Sequence, residues 1–322
     1  MELLASSLNA GAGRETRAAT GRAAAGRALM VDRVVFVGPG RTGLALGYAM
    51  HQAGALDSLT YYGRRPERPA HPLFIEGYAR YCFGLERPAP DTTAVFLTVP
   101  DDVLPTMAHA LSGQGAAPEG CAAFHCSGTL STDVLAPLHA LGYHVGSLHP
   151  LQALGHPVSS AERLVGSWFA ISGEPEAAAV ARRLVAELDG TPLTIPVSRR
   201  PLYHASAVVV SNYLPVLLAM AARLLVHAGV REEDAVPALI PLVRGTIENI
   251  AELGLATALT GPIARGDAET VRLHLRALPE REASLYTALG REAVDLAEAR
   301  GLAADSVAML RELFDAGAEA CL

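Results

Sequence analysis

Apolar and polar positions along the chain fall into two regimes. From Arg33 to about Val197, short runs rich in β-branched and aromatic residues recur. RVVFV (33–37), SLTYY (58–62), AVFLTV (94–99), CAAFHC (121–126), YHVGSLHP (143–150), SWFAIS (167–172) and GTPLTIPV (190–197) read as strands. Most are separated by helical patterns, clearest over Arg41–Gln52 and Glu174–Leu188. Each parallel crossover needs such a connection, so the alternation predicts a mostly parallel, doubly wound sheet. Pro100 and the pair Asp101–Asp102 close the AVFLTV run and predict a helix start there.

After Val197 the strand runs stop. Helical spacing covers 201–228, 232–253, 267–277, 280–300 and 303–319. The break near Pro196–Pro201 therefore predicts a boundary between an α/β nucleotide-type domain (30–196) and an all-α domain (197–322). Residues 1–29 are rich in Ala, Gly and Arg and have no hydrophobic period or apolar signal-peptide core. They are expected to be a disordered extension, or to precede a start at Met30. An arginine-rich organelle leader is the alternative. No internal repeat is evident.

One uncharged run, Ala205–Ala222, approaches the thickness of a bilayer. Ser206, Ser211, Asn212 and Pro215 interrupt it, and no second run matches it. It is expected to be a helix buried in an all-helical domain or dimer, not a membrane span.

Composition narrows the function classes. Half of the 322 residues are hydrophobic, 18% are charged and the net charge is −7. That suits a globular protein without the basic footprint of a nucleic-acid binder. Four cysteines (Cys82, Cys121, Cys126, Cys321) form no CxxC pair, which suits reduced thiols in a cytoplasm. The chain has no lysine, so all 26 basic Lys+Arg positions are arginine. Any proton chemistry must find a donor other than an ammonium.

The strongest local motif is Gly38-Pro39-Gly40-Arg41-Thr42-Gly43, a GxGxxG placed after a strand and opening a helix. Gly38 permits the tight turn, Gly40 lets a pyrophosphate approach the backbone, and Gly43 allows close helix–strand packing. Arg41, Thr42 and the helix N-terminus face the phosphates. The second strand ends Tyr62-Gly63-Arg64-Arg65, with no acid for ribose hydroxyls. Two guanidinium groups there suit a ribose 2′-phosphate, so NADP(H) is the expected cofactor. Val99 and Pro100, after the AVFLTV run, are expected beside the nicotinamide. Ser127 and His149 follow later strands and are candidates for holding a substrate. His125, Cys126, His139, His144 and His149 lack the paired spacing of a metal site, so no metal is expected.

In RPLYHASAVVVSNYL (200–214), His204 lies one turn into a predicted helix. Val208 and Ser211 share its face, and Asn212 lies about 80° round and about 12 Å along the axis. By residue type alone His204 is either a satisfied core histidine or a proton donor. Arg265, in LTGPIARGD (259–267), is a candidate partner for a carboxylate, and Asp267 reads as a helix N-cap.

HCSGTLS (125–131), GSLHPLQ (146–152), RPLYHASAVVVSNYL and LTGPIARGD together resemble Rossmann-like proteins with a DUF2520 C-terminal domain. These are similar to the 6-phosphogluconate dehydrogenase-like superfamily, which includes ketopantoate reductase, pyrroline-5-carboxylate reductase and the β-hydroxyacid dehydrogenases. The resemblance implies an NADP-binding Rossmann domain, a helical substrate domain and a homodimer through that domain. It also implies reduction of a small 2-oxo acid, ketopantoate first. His204 falls at or near the position of the superfamily's catalytic lysine, Val208 at its first asparagine and Asn212 at its second. In this reading His204 protonates the alkoxide, Asn212 and Ser211 orient the substrate, and Ser127, His149 or Arg265 holds its carboxylate. The alternatives are an imine or prephenate-like substrate, or a silent NADP-binding sensor.

Overall fold

The computed structural model describes residues 32–319. The expected extension over 1–29, Met30 and Cys321 lie outside these described residues. Two compact units divide between Asn212 and Tyr213.

The first unit is built on one sheet of eight strands in the order β3-β2-β1-β4-β5-β6-β7-β8. In chain order the elements are β1 (Asp32–Val37), α1 (Arg41–Gln52), β2 (Leu56–Gly63), the short α2 (Pro72–Ile75), β3 (Arg80–Phe83) and β4 (Ala94–Leu97). Then follow α3 (Leu104–Ser112), β5 (Ala122–His125), α4 (Ala136–His139), β6 (His144–Pro150), α5 (Pro157–Leu164), β7 (Trp168–Gly173), α6 (Pro175–Glu187), β8 (Thr191–Thr194) and α7 (Arg200–Ser211). All neighbours pair in parallel except β6 and β7, which are antiparallel. The mostly parallel doubly wound sheet is therefore present, with one reversal near its end.

Alternation along the strands feeds two cores. Tyr61, Phe36, Phe96 and Phe124 occupy matching positions on β2, β1, β4 and β5. Their rings stack with centroids 5.2, 5.0 and 4.9 Å apart in that order. This ladder and the apolar faces of α1, α5 and α6 form one core. The opposite face, with Val35, Val37, Val95, Leu97 and Ala123, packs on α3 and α4. Each fully buried side chain of this size contributes about 2 kcal/mol. Arg183 of α6 holds the buried Asp32 through Nε (3.0 Å) and Nη2 (2.5 Å), fixing the start of β1.

Several expectations need correction. The strand β3 was not expected: RYCF is four residues long and begins with an exposed arginine, so its apolar signal is weak. The helix start expected at Asp101–Asp102 is present as α3, which begins two residues later with Val103 as its N-cap and no side-chain cap bond. The helical run 201–228 is two helices, α7 and α8 (Tyr213–His227). The ring of Pro215 would collide with the carbonyl of Ser211 in a continuous helix, so the break falls at Asn212. The two compact units divide after α7, which sinks Arg200 into the end of the sheet.

The second unit continues with α9 (Glu232–Leu253), α10 (Leu255–Ala258), α11 (Pro262–Arg265), α12 (Ala268–Ala277), α13 (Glu280–Ala299) and α14 (Ala304–Glu319). Val271, Val294, Leu310 and Phe314 centre its core. Asp267 caps α12 as expected, accepting from Thr270 N (3.1 Å) and Thr270 Oγ1 (2.7 Å). The expectation that the long apolar run is buried does not hold within this chain. The stretch Val197–His227 is apolar and long enough to cross a membrane by composition, and 6% of its most apolar window is buried. Val209, Val210, Tyr213 and Val216 are exposed.

Candidate active site

Two arrangements meet at the carboxyl ends of the parallel strands. The first is the glycine turn. Gly38 adopts φ +101°, a conformation that L side chains rarely adopt, and its N–H donates to Tyr62 O (2.9 Å). Thr98 Oγ1 donates to Gly38 O (2.7 Å), tying the turn to the end of β4. A Cβ on Gly43 would strike Thr98 Oγ1, so glycine is what permits this close packing. Gly40 is the N-cap of α1, with no side-chain cap bond and no acid in the first turn. The first-turn N–H groups of Arg41, Thr42 and Gly43 are thus left to a ligand, at the positive end of the helix dipole.

Beside the turn is a cavity of about 440 Å³, lined among others by Gly38, Gly40, Arg64, Arg65, Val99 and Pro100. Arg64 and Arg65 are exposed on its wall, directly after β2. No acid stands at the end of β2. The groups present fit a dinucleotide with an additional phosphate: a bare helix N-terminus, backbone without Cβ, and two guanidinium groups.

The second arrangement is a partly buried polar cluster assembled by β5, β6 and α7. Arg200, Tyr203 and His204 are spaced to share one face of α7. Tyr203 Oη and His149 Nδ1 are 2.7 Å apart, and the rings of His149 and His204 meet edge to face at 5.9 Å. Both imidazoles close on Gly128, in the loop after β5. A Cβ there would strike His204 Nδ1 and lie 3.1 Å from His149 Nε2. His204 Nδ1 is buried without a hydrogen-bond partner.

Burial, then His204 and Arg200, push His149 down to about 4 against a weaker opposing pull from Asp101. His125 is also pushed down to about 4, mainly by burial and then by Arg200. Its Nδ1 accepts from Ser127 N (3.2 Å). Both rings are neutral at neutral pH. Burial pushes Tyr203 up to about 12, so its hydroxyl keeps its proton.

The sequence-level candidates separate in this geometry. His149 and His204 are brought together. The Ser127 hydroxyl is already engaged: it donates to Asp101 Oδ2 (2.6 Å) and accepts from the N–H groups of Thr129 (3.2 Å) and Leu130 (3.1 Å). Ser211 and Asn212 are exposed at the end of α7, where Ser211 Oγ donates to Ala207 O and Asn212 Oδ1. They have no bond to the histidine cluster among the described residues. Arg265 is exposed in α11 of the second unit. Arg200, Tyr203, Gly128 and Asp101 were not among the site residues expected from the sequence. The signal for the first two was the 200/203/204 spacing, a polar face on an otherwise apolar helix.

Residues 167–293 match a family model described as a domain of unknown function, DUF2520. No curated protein matches the chain significantly. Protein TM1727 from Thermotoga maritima is 22% identical, with 88% of this chain and 98% of that one covered at a TM-score of 0.58. BF3122 from Bacteroides fragilis, provisionally described as an NADP oxidoreductase, is 22% identical over 84% of this chain and 99% of that one, with a TM-score of 0.63. Pyrroline carboxylate reductase from Plasmodium falciparum, solved with NADP bound, is 13% identical over 88% and 98% of the two chains, with a TM-score of 0.57. At these identities the likeness is one of fold. Residues 167–293 are thus similar to the DUF2520 family model, and the sheet-plus-helices fold is shared with these three proteins.

Proposed function

We propose that this protein is an NADPH-dependent reductase of a small carboxylate bearing a carbonyl or imine carbon. The observation that carries the reading lies within one compact unit. An uncapped helix N-terminus on a glycine turn and a half-buried imidazole cluster both sit at the carboxyl ends of the parallel strands, where ligands bind in such sheets. Two of the three proteins that share the fold support it, one described as an NADP oxidoreductase and one as a reductase solved with NADP.

When bound, NADPH supplies the hydride. Gly38, Gly40 and the first turn of α1 hold its pyrophosphate, Arg64 and Arg65 its 2′-phosphate, and Val99 and Pro100 border the nicotinamide. The oxygen or nitrogen that receives the electron pair then needs a proton. His204 is placed to give it: Nδ1 is enclosed against Gly128, so Nε2 is the nitrogen left for exchange. An imidazole can give up a proton near neutrality, which an arginine cannot do. Because the Ser127 hydroxyl is engaged, the substrate's carboxylate is assigned to other donors.

The test is NADPH oxidation against a panel of 2-oxo acids and cyclic imines, with ketopantoate included and NADH run in parallel. Turnover of one substrate class with NADPH preferred is the expected result. Turnover of imines alone moves the assignment to an imine reductase. Tight NADPH binding without oxidation by any member leaves a sensor or scaffold and overturns the reductase reading. We assign the exposed apolar residues of α8 and α9, including Val216, Leu242 and Ile247, to an interface with a second copy of this chain. Light scattering on the eluting protein should give twice the chain mass. A monomer at micromolar concentration rejects the dimer.

A further inference from the structure

The first residue of α7 is an arginine sealed inside the sheet unit. Arg200 is 0% exposed. Its Nη1 donates to Ser147 Oγ (2.9 Å) and Ser172 Oγ (2.8 Å), and its Nη2 donates to Ser127 O (2.5 Å). The two serines face one another across the β6–β7 pairing and bond to each other at 2.8 Å. Arg200 Nε is buried without a partner. None of the groups bonded to this guanidinium is a carboxylate. Burying a cation on neutral acceptors alone is costly, and an apolar side chain would fill the space more cheaply. What an apolar side chain would not do is join three separate segments with directed bonds.

We propose that Arg200 is the positioning residue of this site. By tying the first turn of α7 to the loop at Ser127 and to β6 and β7, it sets Tyr203 against His149 and His204 against Gly128. The inference rests on reading that cluster as the reaction centre. Tyr203 and His204 follow Arg200 by three and four residues, so they leave the helix on the face that Arg200 anchors. The charge acts as well as the bonds. The groups facing His149 are Arg200, Tyr203 and His204 from α7, Asp101 from the loop after β4, and His125 from β5. Of the charged ones, Asp101 alone favours a protonated His149. Burial, His204 and, after them, Arg200 keep His149 neutral with one ring nitrogen as an acceptor, so the Tyr203 hydroxyl can donate to Nδ1. Protonation would turn both ring nitrogens into donors and reverse that bond.

The experiment is a pH titration of the ¹³C-labelled histidines in the full chain by NMR, with His149 assigned from His149→Gln. It needs no substrate, so it stands even if no compound in the panel is turned over. The wild-type His149 midpoint is expected near 4. Arg200→Gln should raise it by about one pH unit, a tenfold change in proton affinity, with NADPH affinity within about threefold of wild type. Arg200→Lys, which keeps the charge, should leave it low but slow turnover of any substrate found, because the bonds to three segments are lost. An unchanged midpoint in folded Arg200→Gln overturns the proposal, as does a rise in Arg200→Lys equal to that in Arg200→Gln. If Arg200→Gln does not fold, ¹⁵N-arginine spectra of the unaltered protein decide the matter. Separate, slowly exchanging Nη signals are expected from a guanidinium other than Arg183, whose own signals are identified by their loss in Arg183→Gln, and only averaged, solvent-exchanging signals from the remaining arginines would overturn the anchor.

Discussion

Replacing His204 by glutamine is expected to lower turnover by about a hundredfold or more while NADPH still binds. Glutamine keeps a polar side chain of similar reach but cannot hand over a proton near neutral pH. Its loss therefore falls on the chemical step. The rest of the site has no ready substitute. His149 is held neutral at about 4, Tyr203 keeps its proton up to about 12, and the chain contains no lysine. The readouts are kcat on the best substrate from the panel and NADPH fluorescence for cofactor affinity. If kcat stays within a few-fold of wild type, His204 is removed from the mechanism. Tolerance confined to imine substrates would fit their smaller need for an acid.

Gly128→Ala is expected to be nearly as damaging, although no atom of the glycine takes part in the chemistry. The added methyl would strike His204 Nδ1 and lie 3.1 Å from His149 Nε2, so one ring or the loop must move. A displacement of about 1 Å from productive geometry costs on the order of a hundredfold in rate. Overpacking a filled site costs about 1–3 kcal/mol of stability. Gly155→Ala is the control, since nothing lies within 4 Å of a Cβ at that position. Turnover and melting temperature measured on both variants separate the two effects. Wild-type turnover in Gly128→Ala would show that the two histidines need not approach this loop.

The sheet was legible because its strands are apolar, short and separated by helices, as in the ladder Tyr61–Phe36–Phe96–Phe124. The glycine turn was legible because phosphate binding demands bare backbone at fixed positions, and Gly38, Gly40 and Gly43 are those positions. The edge strand β3 was not, since four residues carry too little periodicity. Nor was the engagement of Ser127. Its partners, Asp101 and Thr129, are set by how two loops fold towards each other, which no local pattern records. Arg200 illustrates the same limit more sharply. An arginine near the start of a helix reads as exposed, and only the serines of β6 and β7 explain its burial.

The spacing of Arg200, Tyr203 and His204 also governs which kinds of sequence change this segment can absorb. Each residue of an α-helix advances about 100° round the axis. One residue inserted between Arg200 and Tyr203 would leave the anchor in the sheet and swing the phenol and imidazole to another side of the helix. Side-chain substitutions in the first turn of α7 alter the site gradually, but any change of length there rotates it out of phase. Drift by insertion and deletion is therefore open to the exposed loops and closed to these five residues.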